Sequence, residues 1–288
     1  MTPQQEPSRM TVPLLRARKG AGKIVALTAY DYAVASILDA AGADLLLVGD
    51  SLGMVLLGYE NTLPVTMDEM INHTKPVARA ARRALVVGDM PFLSYHLSTE
   101  QAVANAGRFI KEGGAAAVKI EGASPRRLRL IETLVEADIP VLGHIGLTPQ
   151  SIGRFGGFKV QGTTPAGARR LVAEARAVEK AGAFGMVVEC VPAEVAAGIT
   201  AAVGIPTIGI GAGPGCDGQI IVFHDLVGFH HGYMPKFVKT YADLHGVISE
   251  AVGRYRDDVR SGVFPDEAHS YHLKAWTARG PKSGRARG

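Results

Sequence analysis

The chain has 288 residues, 47% hydrophobic and 20% charged, enough for one large core; a (β/α)8 barrel needs about 250. No apolar run approaches the roughly 18 residues of a membrane span and Met1 to Arg9 is too polar for a secretory signal, so the cytoplasm is expected, without a membrane partner. The formal charge of +4 resides in the tail, where Lys274, Arg279, Lys282, Arg285 and Arg287 follow the last acid, Glu267; the remainder carries −1, which speaks against a nucleic-acid partner.

Residues 1–23 read as an N-terminal extension with a short helix over Val12 to Lys19. Apolar runs then recur at Ile24 to Ala29, Leu45 to Gly49, Ala84 to Gly88, Ala116 to Ile120, Pro140 to Gly143, Gly185 to Val188, Pro206 to Ile210 and Leu226 to Phe229. Each is apolar at nearly every position, as in strands covered on both faces of a parallel sheet. Helix-period segments separate them: Tyr32 to Ala41, Ser98 to Glu112, Ser124 to Ala137, Ala166 to Ala181 and Pro192 to Val203. Ser98 with its following Glu and Gln resembles a capping box, Pro192 suits a first helical turn, and Gly113 and Gly182 suit C-terminal caps. Strict alternation through eight units predicts an α/β fold, a (β/α)8 TIM barrel over residues 24–262. Residues 263–288 read as an extension ending in a solvated, disordered basic tail.

Two connections are too long for simple turns, Ser51 to Thr66 and Gly146 to Pro165. The second carries five glycines with Arg154 and Lys159 among them, and reads as a lid or ligand clamp. Cys190 and Cys216 are too few for a disulfide framework and not at metal-ligand spacing, which fits a reducing compartment. Cys190 has no identifiable base and reads as a small buried residue. His230 and His231 are adjacent, so their side chains diverge, as in a surface loop.

Catalytic groups of such barrels stand at the C-terminal ends of strands. Reading each run to its end gives Asp50 and Ser51, Asp89, Lys119 and Glu121, His144, and Glu189. One aspartate after a strand is ordinary turn or N-cap chemistry. A set of such polar groups on one rim is different, because crowded carboxylates repel unless a cation sits among them. Asp50, Asp89 and Glu121 therefore form a candidate oxygen set for Mg2+, which takes one or two carboxylates plus water and substrate oxygens. Zinc fits poorly, with His144 the lone histidine of the set. A cation with open positions can chelate a 2-oxo acid and favour its enolate. Glu189, closing an apolar strand, suits proton transfer at carbon, with helix capping as the alternative. Lys119 suits a substrate carboxylate or an ion pair with Glu121 on the same strand face. Gly209, Gly211 and Gly213 are weak phosphate signals, and Asp217 disfavours an anion there.

Ten segments, in order, carry a family resemblance: LTAYDY from Leu27, LLVGDSLGM from Leu46, TLPVT from Thr62, DMPF from Asp89, VKIEG from Val118, GHIGLTPQS from Gly143, GGFKVQG from Gly156, ECVP from Glu189, IGIGAG from Ile208 and DGQI from Asp217. The sequence resembles the ketopantoate hydroxymethyltransferase family. That resemblance implies a barrel of the phosphoenolpyruvate/pyruvate-binding type and a cytoplasmic homodecamer. The implied reaction needs Mg2+ and moves the one-carbon unit of 5,10-methylenetetrahydrofolate to 3-methyl-2-oxobutanoate, giving 2-dehydropantoate and tetrahydrofolate. It further implies metal binding at Asp50, Asp89 and Glu121, substrate binding at Asp50, Ser51, Asp89, Lys119 and His144, and Glu189 as the base. Pro76 inside a helix, Gly215-Cys216 and the region beyond Tyr271 depart from the family pattern without touching these residues. Two rivals are a carbon–carbon lyase of the isocitrate lyase type, whose KKCGH-like lid motif is missing here, and a catalytically inert barrel scaffold, which the intact carboxylate set disfavours.

Overall fold

The period-2 geometry of a strand sends alternate side chains into the barrel and out to the helices, and both sets must be apolar for the sheet to close. In the computed structural model, which describes residues 9–157, 159–229 and 234–273, eight parallel strands do close on themselves in chain order. They are β1 (Ile24–Thr28), β2 (Leu45–Val48), β3 (Leu85–Asp89), β4 (Ala117–Glu121), β5 (Val141–Gly146), β6 (Gly185–Glu189), β7 (Thr207–Ile210) and β8 (Gly218–Ile221). The helices are α1 (Val12–Arg16), α2 (Tyr32–Ala40), α3 (Leu52–Val55), α4 (Met67–Ala80), α5 (Thr99–Lys111), α6 (Pro125–Glu136), α7 (Ile152–Phe155), α8 (Pro165–Lys180), α9 (Ala193–Ala202), α10 (Phe223–Leu226) and α11 (Leu244–Ser261).

The core has two parts. An outer layer lies between strands and helices, with Leu46, Val86, Phe109, Val118, Ile131 and Val188 fully buried. An inner plug fills the barrel with Ile24, Leu45, Leu47, Leu85, Val87, Leu142 and Ile208. Leu15 of α1 is fully buried against this plug, so the N-terminal helix closes the floor of the barrel. Asp217 fastens the same end: its carboxylate accepts from the Thr207 and Gly20 amides at 2.9 and 3.2 Å and meets Lys19 Nζ at 2.9 Å.

The eighth strand is not Leu226 to Phe229. That segment ends α10 and continues as a turn, while Gly218–Ile221 pairs with both β7 and β1. GQII is short, carries a glycine and an outward glutamine, and so lacks the all-apolar signature sought. Helix α1 ends at Arg16, not Lys19, and the Ser51 to Thr66 connection contains α3. The Gly146 to Pro165 connection holds a 3-10 turn, Pro149–Ser151, and α7. At Ser98 the hydroxyl accepts from the Gln101 amide; the reciprocal capping box is at Thr66 and Glu69 instead. Pro192 is the N-cap residue itself, and the left-handed residue after α5 is Gly114, not Gly113. Gly182 does cap α8 with a φ of 98°. Gly211 and Gly213 are left-handed and press on Phe237 and Ala193, so packing accounts for these glycines without a bound anion. His230, His231 and the basic tail from Lys274 lie outside the described residues.

Among the described residues, no helix covers the outer face of β1 at Val25. Val25 of β1 is 51% exposed and Ile37 of α2 66% exposed, whereas α11 buries no residue and exposes Ile248, Val252, Tyr255 and Val259 at helical spacing.

Candidate active site

Inward positions change character along each strand. β3 runs Leu85, Val87, Asp89; β4 runs Ala117, Lys119, Glu121; β5 runs Leu142, His144; β6 runs Val187, Glu189. The apolar members form the plug, and the polar ones stand above it at the C-terminal end. Register brings neighbours level: Asp89 lies opposite Lys119, Glu121 opposite His144, and Gly146 opposite Glu189. Asp50 and Ser51 follow β2 at the same rim. All seven residues named from the sequence line one cavity of 110 Å3, room for a molecule the size of several waters.

Asp50, Asp89, Lys119, Glu121 and His144 are each at most 5% exposed. Lys119 Nζ sits 2.9 Å from Asp89 Oδ1 and 3.7 Å from Glu121 Oε1. Asp89 Oδ1 nonetheless makes no properly directed hydrogen bond, so the contact with Lys119 is one of charge. Its other oxygen accepts the Asp50 amide at 3.2 Å. Burial raises the pKa of Asp50 well above the carboxylate range, and the charges of Asp89 and Glu121 push it further. Asp89 is also raised, by burial first and by Glu121, with Lys119 opposing. Burial disfavours the Lys119 charge, but Asp89, Glu121 and Asp50 outweigh it, and its pKa rises.

His144 bridges the two remaining acids. Its Nδ1 is 3.4 Å from Glu121 Oε1 and its Nε2 is 3.1 Å from Glu189 Oε2. Burial and Lys119, 3.3 Å away, oppose a charged ring, yet the two carboxylates prevail and lift it to about 9. Glu121 in turn is lowered: burial acts against it, but His144 and Lys119 more than compensate. Glu189 is the accessible acid, its side chain 16% exposed. Ser51 Oγ pairs with the buried Tyr30 hydroxyl at 2.9 Å. Cys190 is half-buried rather than buried, with a φ of 47°, and burial followed by Glu189 pushes its thiol up to about 12.

Gln150 and Tyr95 were not singled out in the sequence. Gln150 Nε2 donates to Asp50 Oδ2 and to the Met90 carbonyl, both at 2.9 Å. Its backbone amide donates to Glu121 Oε2 at 3.1 Å, and the Tyr95 hydroxyl donates to its Oε1 at 2.6 Å. The usable signal was position, since Gln150 lies in the connection directly after β5.

The family model described as ketopantoate hydroxymethyltransferase matches residues 9–267. A 3-methyl-2-oxobutanoate hydroxymethyltransferase from Syntrophomonas wolfei is 54% identical over 93% of this chain and 97% of its own. Another from Moorella thermoacetica is 56% identical over 92% and 98%. Among solved structures, 2,3-dimethylmalate lyase, a PEP mutase/isocitrate lyase superfamily member, matches with a TM-score of 0.59 at 18% identity over 92% and 93% of the two chains. Phosphonopyruvate hydrolase matches at 0.60 and 14% identity over 92% of each. These distant likenesses carry the barrel architecture alone, while the extent and identity of the sequence matches place the chain in the ketopantoate hydroxymethyltransferase family.

Proposed function

We propose that this hydroxymethyltransferase moves the one-carbon unit of 5,10-methylenetetrahydrofolate to C3 of 3-methyl-2-oxobutanoate, giving 2-dehydropantoate and tetrahydrofolate. The observation that carries this reading is the pairing of a partly exposed carboxylate, Glu189, with the imidazole of His144 above a buried set of acids around one cation, Lys119.

The residues fit a hard divalent cation. Asp50 and Asp89 are buried, adjacent and raised in pKa, which a dication between them would relieve, and Asp89 Oδ1 has no directed hydrogen bond. Among the described residues no three His, Cys, Asp or Glu side chains are arranged around one metal position. Two direct carboxylates, with water and substrate completing the shell, is the arrangement Mg2+ favours. Asp50 and Asp89 would hold it, with Glu121 reaching it through water, because the Gln150 amide already engages Glu121 Oε2. When bound, Mg2+ supplies polarisation of the keto group.

Lys119 and Ser51 offer donors to the substrate's carboxylate end. Glu189 takes the single C3 proton, and the charged His144 ring, 3.1 Å from its carboxylate, orients it. The resulting carbanion forms the C–C bond to the one-carbon unit, whose two C–N bonds break; water supplies the hydroxyl group, and N5 and N10 of the departing tetrahydrofolate take the C3 proton and the second proton of water. C3 then bears no hydrogen, so a second addition is chemically closed.

We also place the chain in the cytoplasm as a homo-oligomer, a decamer. No helix among the described residues is long and apolar enough to cross a membrane. The uncovered β1 face and the uncovered stripe of α11 support contact with further copies.

Exchange of the C3 hydrogen of 3-methyl-2-oxobutanoate with deuterated solvent tests the chemistry without folate. Glu189→Gln should slow it at least a hundredfold; an unchanged rate removes Glu189 as the base.

A further inference from the structure

Beyond the catalytic cavity, three larger ones are distributed unevenly about the barrel. One of 460 Å3 lies at the floor, around Leu14, Arg18 and Arg83, at the wrong end for chemistry. One of 390 Å3 lies between the connections after β2 and β3 and is lined without any charged residue. The third, 780 Å3, lies between the connections after β4 and β5 and the start of α8. It falls within the usual range of small-molecule sites. It shares Glu121 with the catalytic cavity, and Gln150 stands between the two.

Its charge distribution is unusual for an unoccupied surface. Arg127, Arg154 and Arg170 line it, against Glu121 and Glu174. Arg127 is half-buried, with its guanidinium 4.4 Å from the centre of the Tyr95 ring and Nη1 donating to the Tyr95 carbonyl at 3.3 Å. No carboxylate of a described residue forms an ion pair with it, and burial lowers its pKa. His96, beside Tyr95, is held neutral, lowered to about 4 by burial and by Arg127 and Arg126. Its buried Nδ1 has no hydrogen-bond partner. A half-buried arginine without an acid is costly unless a ligand supplies the anion.

We propose that this cavity receives the p-aminobenzoyl-glutamate end of the folate co-substrate, its carboxylates on Arg127 and Arg170. The assignment rests on the transfer reading above. A folate is long, with its one-carbon unit at the pteridine end and two carboxylates at the other. Only a binding mode that crosses the rim lets the first reach C3 while the second finds cations. The catalytic cavity is too small for the whole molecule and has Lys119 as its one cationic donor besides the histidine. The Gly-rich connection after β5 contributes Arg154, which gives that segment the ligand-clamp role its composition suggests.

The test is steady-state kinetics of Arg127→Gln, Arg127→Lys and Arg170→Gln, with p-aminobenzoyl-L-glutamate as a probe. Loss of a charge-assisted hydrogen bond predicts about a tenfold or greater rise in the KM for methylenetetrahydrofolate, with the KM for the oxo acid within about twofold. Arg127→Lys should recover part of it. The probe should inhibit competitively against the folate and lose potency in Arg127→Gln. If Arg127→Gln fails to fold, Arg170→Gln, at a side chain 60% exposed, carries the same prediction. An unchanged folate KM in the folded variants, or a probe that does not compete, overturns the subsite. Wild-type protein that shows folate-independent C3 exchange while the folate KM is unmoved leaves the transfer reading standing and rejects the subsite alone; absence of exchange rejects the transfer reading itself.

Discussion

Gln150 Nε2 donates to Asp50 Oδ2 at 2.9 Å, and the far side of the amide dictates that direction. The Met90 carbonyl can only accept, so the NH2 group must face it and Asp50, while Tyr95 donates to the amide oxygen. Asp50 is thereby held in one orientation by a network whose members are all satisfied. Gln150→Ala should lower kcat/KM by about 10- to 100-fold, the value of a buried hydrogen bond to a charged group. Gln150→Glu should be worse than alanine, because it sets a further carboxylate against Asp50, beside Asp89 and Glu121. Activity within twofold of wild type in both variants would show that Asp50 needs no such support.

Cys190 stands next to the proposed base, Glu189, where a thiol nucleophile is the obvious competing idea. Burial and the neighbouring charge push that thiol up to about 12, so at pH 8 only about one molecule in ten thousand carries the thiolate. Iodoacetamide should label Cys190 far more slowly than a free cysteine, and Cys190→Ser should keep turnover within about threefold. Rapid labelling coupled to inactivation would contradict this.

At the opposite end of the barrel, Asp217 is a stability residue with no part in the chemistry. Its pKa is lowered: burial opposes, but the Thr207 amide and Lys19 more than offset it. A depressed folded-state pKa means the contribution is full above the unfolded value of about 4 and is lost as the pH falls through the folded value. Asp217→Ala should cost about 2–3 kcal/mol at pH 7 in denaturant unfolding, with the difference from wild type shrinking in acid. A difference that grows as the pH falls would overturn the assignment.

The stripe of Ile248, Val252, Tyr255 and Val259 on α11, together with exposed Val25 and Ile37, is more apolar surface than one soluble chain ordinarily leaves open. Val252→Glu with Val259→Glu should reduce the mass measured by sedimentation relative to wild type, while far-UV circular dichroism is retained. A wild-type chain that sediments as a monomer would remove the oligomer reading.

Seven strands and the charged rim residues were legible because a buried parallel strand announces itself by continuous apolarity and ends where a charge appears, whereas Thr28, the uncharged end of β1, gave no such signal. LLLVGD, ALVVGD and AVKIE show both signals in six residues or fewer. β8 was misplaced because Gly218–Ile221 is short and faces outward with Gln219, so it is stabilised by its neighbours rather than by its own pattern. Gln150 and Tyr95 were invisible for another reason: neither is ionised, and their role depends on a network that joins the connections after β3 and β5. The pairing of His144 with Glu189 follows from register, which no single strand encodes.

We propose hydroxymethyl transfer supported by a dication at Asp50 and Asp89. Its most direct measurement is 2-dehydropantoate formation by the purified chain from 3-methyl-2-oxobutanoate and methylenetetrahydrofolate, with Mg2+ and with excess chelator, in wild type and in folded Asp89→Asn. Product is expected only in the wild type with metal; undiminished product in chelator, or from Asp89→Asn, would contradict a dication at these residues.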